Sequence, residues 1–370
     1  TLPLVECLAF GFLWQAERLR SLWRYALGGA LVGVCMYTYT SARLLIGGVA
    51  VFAIYRLIAA RKGLEWRGWF AAAAAFALVS APLGWYGVTH QIEFFQRSAT
   101  IALTDRQDVV KGILAVLGMF VIRGTDQPFQ NIPNLPVFDV LMSVAFLAGL
   151  VLILPRLRQP GYVFVLVWLA CIIPASAFSP SPPYYLRLTA LIPPMLVLPA
   201  LALAEMPTLI QRLTLRWAFV PSAAVLLASG AITFQHYFGD WAPSRDAFYA
   251  MMQDKVDAGA SLRQLADSGK HVFLARLYAE DWTYIWETRG EPIQSFEATQ
   301  CTVLPPRGQE AVYVYPYFDK DQPPALLAHL PGSPTTESVA NSRGEPALVA
   351  IHEPSTCLLY TSPSPRDRQK

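Results

Sequence analysis

Charge is scarce in this chain. Only 15% of its 370 residues are Asp, Glu, Lys or Arg, against 54% hydrophobic, and the scarcity is greatest before residue 235. A soluble domain is rarely so apolar, and several windows approach the roughly 20 apolar residues that cross a bilayer. The net charge of +3 comes from scattered loop arginines and gives no basic patch, so nucleic acid is not an expected partner. Cysteine is sparse as well. Cys7, Cys35, Cys171, Cys301 and Cys357 form no CxxC and no ligand cluster, so neither a disulfide framework nor a zinc site follows. Internal repeats are absent. An initiating methionine is also absent: the chain begins at Thr1, inside an apolar segment, and further spans are expected upstream.

What is present is a series of apolar runs separated by polar knots. Leu2–Leu13 is a partial apolar segment, followed by Glu17, Arg18, Arg20 and Arg24. Leu22–Met36 and Leu44–Ala60 flank the stretch Tyr37-Thr-Tyr-Thr-Ser-Ala-Arg43. Trp69–Val88 is the next run. A polar stretch then extends from Thr89 to Pro136 and contains the short apolar piece Ile113–Ile122. That piece is too short to span and reads as a re-entrant or interfacial helix. Val137–Leu154, Tyr162–Phe178, Leu188–Ala204 and Trp217–Phe234 follow. The expectation is a polytopic α-helical membrane protein with about seven spans, occupying residues 1–234.

The basic clusters set the orientation. Those after Leu13, Ala60, Leu154 and Ala204 fall on one face in an alternating count, and the positive-inside rule makes that face cytoplasmic. The Tyr37–Arg43 knot, the loop to Pro136, the Pro-rich loop Ser179–Arg187 and the C-terminal part are then expected outside, with the chain in the inner (plasma) membrane.

From Gln235 the texture changes. Asp246–Ala266 has an amphipathic helical pattern, and His271–Ala275, Ala311–Tyr315 and Ala347–Ile351 read as short strands. Glu280–Glu287 and Pro324–Leu330 read as short helices. Residues 235–356 are expected to form a small extracytoplasmic α/β domain with a mostly parallel sheet. No glycine-rich phosphate loop or nucleophile elbow occurs in it, so no chemistry is assigned there. The tail, Cys357-Leu-Leu-Tyr-Thr-Ser-Pro-Ser-Pro-Arg-Asp367, looks like the conceptual translation of a transposon-end adapter used in DNA library preparation; residues 357–370 are read as non-native.

Three arginines stand at outer span ends, against the positive-inside trend: Arg43, Arg97 and Arg187. A guanidinium at a span end must snorkel or find an anion. Its planar fork suits bidentate phosphate binding, and nearby aromatic residues suit a sugar face or an isoprene unit. If the segment after Trp85 and Tyr86 stays helical, His90, Glu93 and Arg97 share one face; a Glu93–Arg97 pair on a solvated juxtamembrane helix is the plainer reading. Arg123, Asp126, Asn131 and Asn134 are accounted for mostly by turn chemistry.

The ordered motifs carry a resemblance. Tyr37-Thr-Tyr-x-x-Ala-Arg43, then Pro82-Leu-Gly-Trp-Tyr86 with Phe94-Phe-Gln-Arg97, the 123–139 segment with Asn131, Pro133 and Pro136, and Tyr185-Leu-Arg187 with Leu191-Ile-Pro193 resemble bacterial GT-C class membrane glycosyltransferases. These are the family-39-like enzymes related to protein mannosyltransferases and the lipid A aminoarabinose transferase. The resemblance covers roughly residues 1–320. It implies transfer of a sugar from a polyprenyl-phosphate donor to an envelope lipid, glycan or protein acceptor at the outer membrane face.

On that implication Arg43, Arg97 and Arg187 bind donor phosphate and stabilise charge on the departing lipid phosphate. Tyr37, Tyr39, His90 and Tyr185 shape the sugar or lipid site. The family's catalytic acid belongs to a first external loop upstream of Thr1. Asp105, Asp108 and Asp126 do not match its motif, so no catalytic residue is named and the fragment is expected to be inactive alone. No cofactor is called for; a divalent metal is compatible with the family, but no residue here indicates one. A transporter or flippase of polyprenyl-linked glycans is the competing class. It needs mid-span charge or broken helices, and mid-span charge is nearly absent. A non-catalytic scaffold for envelope assembly is the third.

Overall fold

The computed structural model describes residues 1–59, 65–94, 106–209, 219–291, 293–296, 303–305, 308–316, 326–327, 330 and 333–354. Two compact units are present, Thr1–Ala242 and a second beginning at Pro243. The contact break lies beyond the composition boundary at Phe234 because the last long helix does not end there. It continues as a π-helical turn, Gln235–Trp241.

The first unit is helical: α1 (Leu2–Leu19), α2 (Leu22–Cys35), α3 (Arg43–Ala59), α4 (Trp66–Thr89), α5 (Arg106–Gly118), α6 (Val140–Ile153), α7 (Pro160–Ile172), α8 (Pro174–Ala177), α9 (Ile192–Leu209) and α10 (Val220–Phe234). Among the described residues, four stretches are long and apolar enough to cross a membrane: Thr40–Ala59, Trp66–Thr89, Pro160–Ala177 and Tyr185–Pro207. Leu22–Cys35 and Val140–Arg156 are apolar but shorter. Ile113–Ile122, read as a short interfacial helix, instead straddles the end of α5. A chain with this little charge closes its bundle by apolar packing and close backbone approach. Phe10 of α1 meets Phe164 and Trp168 of α7 with ring centroids at 4.8 and 4.5 Å. Gly29 of α2 lies against the Ala72 backbone of α4, and Gly149 of α6 against the Leu198 backbone of α9; no Cβ fits at either place.

The second unit is α/β. Its helices are α11 (Arg245–Ala250), α12 (Gln253–Asp267), α13 (Arg276–Ala279) and α14 (Trp282–Glu287). Its strands are β1 (His271–Ala275), β2 (Ile293–Phe296), β3 (Ala311–Pro316), β4 (Thr335–Ala340) and β5 (Pro346–Glu353), in sheet order β2-β1-β3-β5-β4. β1 runs parallel to β2 and β3, while β5 is antiparallel to both β3 and β4.

The sheet is therefore mixed, which corrects the mostly parallel expectation. The β4–β5 pairing follows from a local turn. Asn341 Oδ1 accepts from the Arg343 and Glu345 amides, and Gly344 takes φ 79°, so the chain reverses into a hairpin too short for a crossover. The single helix expected over Asp246–Ala266 is two, because Met252 stands at φ 58° and breaks the winding. The core is aromatic: Phe273 and Tyr313 stack at 5.0 Å between centroids. Of the expected 324–330 helix, only residues 326 and 327 are described as helical.

Candidate functional site

The Tyr37–Arg43 knot is a compact reversal between α2 and α3. Thr38 Oγ1 donates to the Cys35 carbonyl at 2.7 Å, and Tyr39, in extended backbone, caps the 3-10 turn Thr40–Ala42. Tyr37 donates its hydroxyl to the Val79 carbonyl of α4 at 2.8 Å. Pro82, inside the same helix, has no N–H to give the Leu78 carbonyl one residue earlier. Both tyrosine rings are exposed.

Arg43 opens α3 half-buried. Its guanidinium carbon sits 3.8 Å from the Phe94 ring centroid, and its Nε is buried without a hydrogen-bond partner among the described residues. Ser41 is buried beside it in sequence, and its Oγ likewise lacks a described partner.

The chain beyond Tyr86 departs from the continuous helix considered above. α4 ends at Thr89, His90 takes φ −126°, and helix resumes over 91–94. His90 therefore does not share a helical face with Glu93. Its ring stacks on Tyr86 at 4.6 Å, and Tyr86 donates its hydroxyl to Glu93 at 2.8 Å. The Tyr86 hydroxyl is the partner of Glu93 among the described residues. Arg97 lies outside the described residues, as does Asp105.

The Pro-rich loop is held from two sides. Ser176 Oγ accepts from the Tyr184 amide at 2.7 Å, and Gln130 Oε1 accepts from the Tyr185 and Leu186 amides at 2.6 and 3.4 Å. The Pro182–Pro183 bond is cis. Arg187 stacks on Tyr184 with its guanidinium carbon 5.0 Å from the ring centroid. The Tyr185 hydroxyl lies against the Gly124 backbone, where no Cβ fits. The loop carrying Gly124 is turn chemistry, as expected: Arg123 donates to Asn134 at 2.8 Å, and the Asn134 amide returns to the Thr125 carbonyl at 2.7 Å. Asp108 pairs with Lys111 at 3.4 Å.

The decisive juxtaposition is between segments far apart in sequence. The Thr40–Ala42 turn packs on the Tyr185–Leu191 3-10 segment. Arg43 and Arg187, with Tyr39 and Tyr185, are thereby carried on two touching segments. Neither arginine makes an ion pair with a described carboxylate. The opposite end of the helices differs: Arg56 bonds Glu17, Arg20 lies 3.4 Å from Glu65, and Arg156 lies 2.9 Å from Glu205. No group of three or more His, Cys, Asp or Glu among the described residues is arranged to hold a metal.

Three residues matter here that sequence reasoning passed over. Phe94 was noted only as part of a motif, yet it is the surface under Arg43. Gln130 ties the 123–138 loop to the arginine-bearing segment, and nothing in its sequence context signals that. Glu6 is fully buried within the helical unit, facing the Trp168 indole. Mid-helix acid is therefore not wholly absent.

No family model matches this chain, and no curated protein matches it. Among solved structures it is similar to the crystal structure of ArnT from Cupriavidus metallidurans bound to undecaprenyl phosphate, with 15% sequence identity and a TM-score of 0.48, covering 92% of this chain and 70% of that one.

Proposed function

We propose that this protein is a membrane glycosyltransferase that uses a polyprenyl-phosphate sugar. The observation that carries the reading is the meeting of the Arg43 and Arg187 segments, with both arginines unpaired by described carboxylates. An arginine held on an aromatic face and denied an internal anion is set to receive an external one. Phosphate offers the matching planar acceptor geometry. Tyr37, Tyr39, His90 and Tyr185 then border the prenyl or sugar part of the donor. Arg97 follows Phe94 by three residues and belongs to the same proposed set. These groups bind and orient the donor and stabilise negative charge as the lipid phosphate departs. The site opens on the outer face of the inner membrane, and the α/β unit lies on that side. The acceptor is an envelope lipid, glycan or protein.

The test is binding of a polyprenyl phosphate to the chain in lipid nanodiscs. Arg43→Ala and Arg187→Ala should each weaken it by about 10- to 150-fold, the loss of a charge-assisted hydrogen bond of roughly 1.5–3 kcal/mol. The neutral polyprenol should bind weakly and show no such dependence. Wild-type affinity in both variants would overturn the assignment. A transporter reading draws on Glu6, since buried intramembrane acids mark ion and substrate pathways. It requires Glu6→Gln to abolish translocation of a polyprenyl-linked glycan across vesicles, while leaving polyprenyl-phosphate binding intact.

A further inference from the structure

Among the described residues of the helical unit, two cavities of similar size differ in how polar their linings are. One, of about 220 Å³, is walled mainly by Phe10, Leu13, Phe52, Trp69 and Phe164, with Glu17 its one charged lining residue, and suits an alkyl or prenyl chain. The other, of about 200 Å³, lies between the 129–139 loop and the end of α10. Its lining mixes the aliphatic Ile132, Leu135, Pro136 and Val137 with aromatic and polar groups. Phe129, Tyr237 and Trp241 supply ring faces; Asn131, Asp139, Thr233 and His236 supply donors and acceptors.

The fold builds this cavity in a specific way. The Gln235–Trp241 segment is π-helical, with bonds closing five residues apart. Residues five apart therefore come onto one face, and His236 and Trp241 line the same wall, as they would not in an α-helix. Such winding is uncommon and concentrates at functional sites. The Trp241 indole is fixed across the cavity by donating to the Pro128 carbonyl at 3.1 Å, and the Tyr237 ring stands 5.0 Å from it. On the facing wall Asp139 is held rigid. Its Oδ1 caps α6 at the Leu141 and Met142 amides, and its Oδ2 accepts from Ser229. Gln130, also on that wall, is the residue whose amide oxygen holds the Tyr185 and Leu186 amides.

We propose that this cavity is a binding site for a single sugar ring. The ligand must offer an apolar ring face and a rim of hydroxyls, because the walls offer aromatic faces and a rim of polar side chains. The volume is below the roughly 300–1,000 Å³ of sites for drug-sized ligands, so it admits one ring and not an oligosaccharide. An acyl chain would lie against the polar atoms of Asn131, Asp139, Thr233 and His236 without hydrogen-bonding to them. Because Gln130 is shared between this wall and the segment leading to Arg187, a ring bound here lies next to the arginine-bearing segment.

The experiment titrates the full chain in nanodiscs with methyl glycosides of glucose, galactose, mannose and arabinose, read by saturation-transfer NMR. Saturable binding of at least one is expected. Trp241→Ala should weaken it roughly tenfold by removing a stacking face. Because Trp241 also bonds Pro128, His236→Leu is the companion variant: it keeps the helix and removes a polar contact, and it should weaken binding several-fold. Unchanged melting temperatures would separate loss of contact from loss of fold. Absence of saturable binding for every glycoside overturns the proposal, as does binding indifferent to both variants. A polyprenyl-phosphate hexose that displaces the methyl glycoside assigns the cavity to the donor's sugar; one that leaves it bound assigns it to the acceptor's. The titration uses no phosphate, so its failure is distinguishable from failure of the arginine assignment.

Discussion

The two ends of the helical unit treat arginine in opposite ways. At one end Arg20, Arg56 and Arg156 are each matched with a glutamate, and the Arg56–Glu17 side chains are only about one-fifth exposed. At the other, Arg43 and Arg187 rest on Phe94 and Tyr184. An arginine paired internally contributes to the fold and has little charge left to offer a ligand. One supported by an aromatic face keeps its hydrogen-bonding edge available, because the ring contacts the guanidinium plane and not its N–H groups. The difference assigns anchoring to the first end and recognition to the second.

The comparison can be broken most directly at Arg43. Arg43→Ala should lower polyprenyl-phosphate affinity about 100-fold, while thermal stability falls by no more than about 2 kcal/mol, the worth of a partly desolvated cation–π contact. A large stability loss without an affinity loss would make Arg43 a structural residue and erase the contrast. At the other end, Glu17→Gln should do the reverse. Loss of the charge-assisted bond to Arg56 should cost about 1.5–3 kcal/mol in denaturation of the nanodisc-free protein, with polyprenyl-phosphate affinity unchanged.

The α/β unit resembles the paired end, and there the contrast can be sharpened with pH. Asp281 is buried enough to push its pKa up, but bonds from Lys255 and Thr283 outweigh burial and hold it below the ordinary carboxylate range. Above the unfolded value of about 3.9 its contribution is fully present. It is lost as pH falls through the lower folded value. Acid unfolding of this unit should therefore steepen below about pH 4, and Asp281→Asn should flatten that dependence. Glu6 tests the smallest effect. It lies in a helix interior with no cation paired to it among the described residues, so Glu6→Gln should change stability by less than about 1 kcal/mol in either direction. A larger loss would mean that its carboxylate is part of a working network.

Much of the helical unit was legible from residue order alone. Runs such as Leu44–Ala60 and Trp69–Val88 correspond closely to α3 and α4, because a long apolar stretch must bond its backbone internally. The second unit was less legible. β2 and β4 were missed: Ile293–Phe296 has only four residues, and Thr335–Ala340 is largely exposed and lacks apolar alternation. The break at His90 was also hidden, since nothing in Val-Thr-His-Gln forbids helix. It reflects Tyr86 stacking on His90 and reaching Glu93, a preference visible only once the rings are placed.

Sequence by itself determined that this chain is dominated by apolar helices, that cationic residues collect at the ends of its runs, and that a polar α/β segment follows. Each of these is a matter of composition and periodicity, which act locally. Only the tertiary structure decided which arginines are neutralised, that the Thr40–Ala42 turn meets the Tyr185–Leu191 segment, and that π-winding turns His236 and Trp241 toward the 129–139 loop. Those outcomes depend on pairings between residues tens to more than a hundred positions apart. Partner choice at that distance is set by packing and hydrogen-bond satisfaction across the whole unit, which no local pattern encodes.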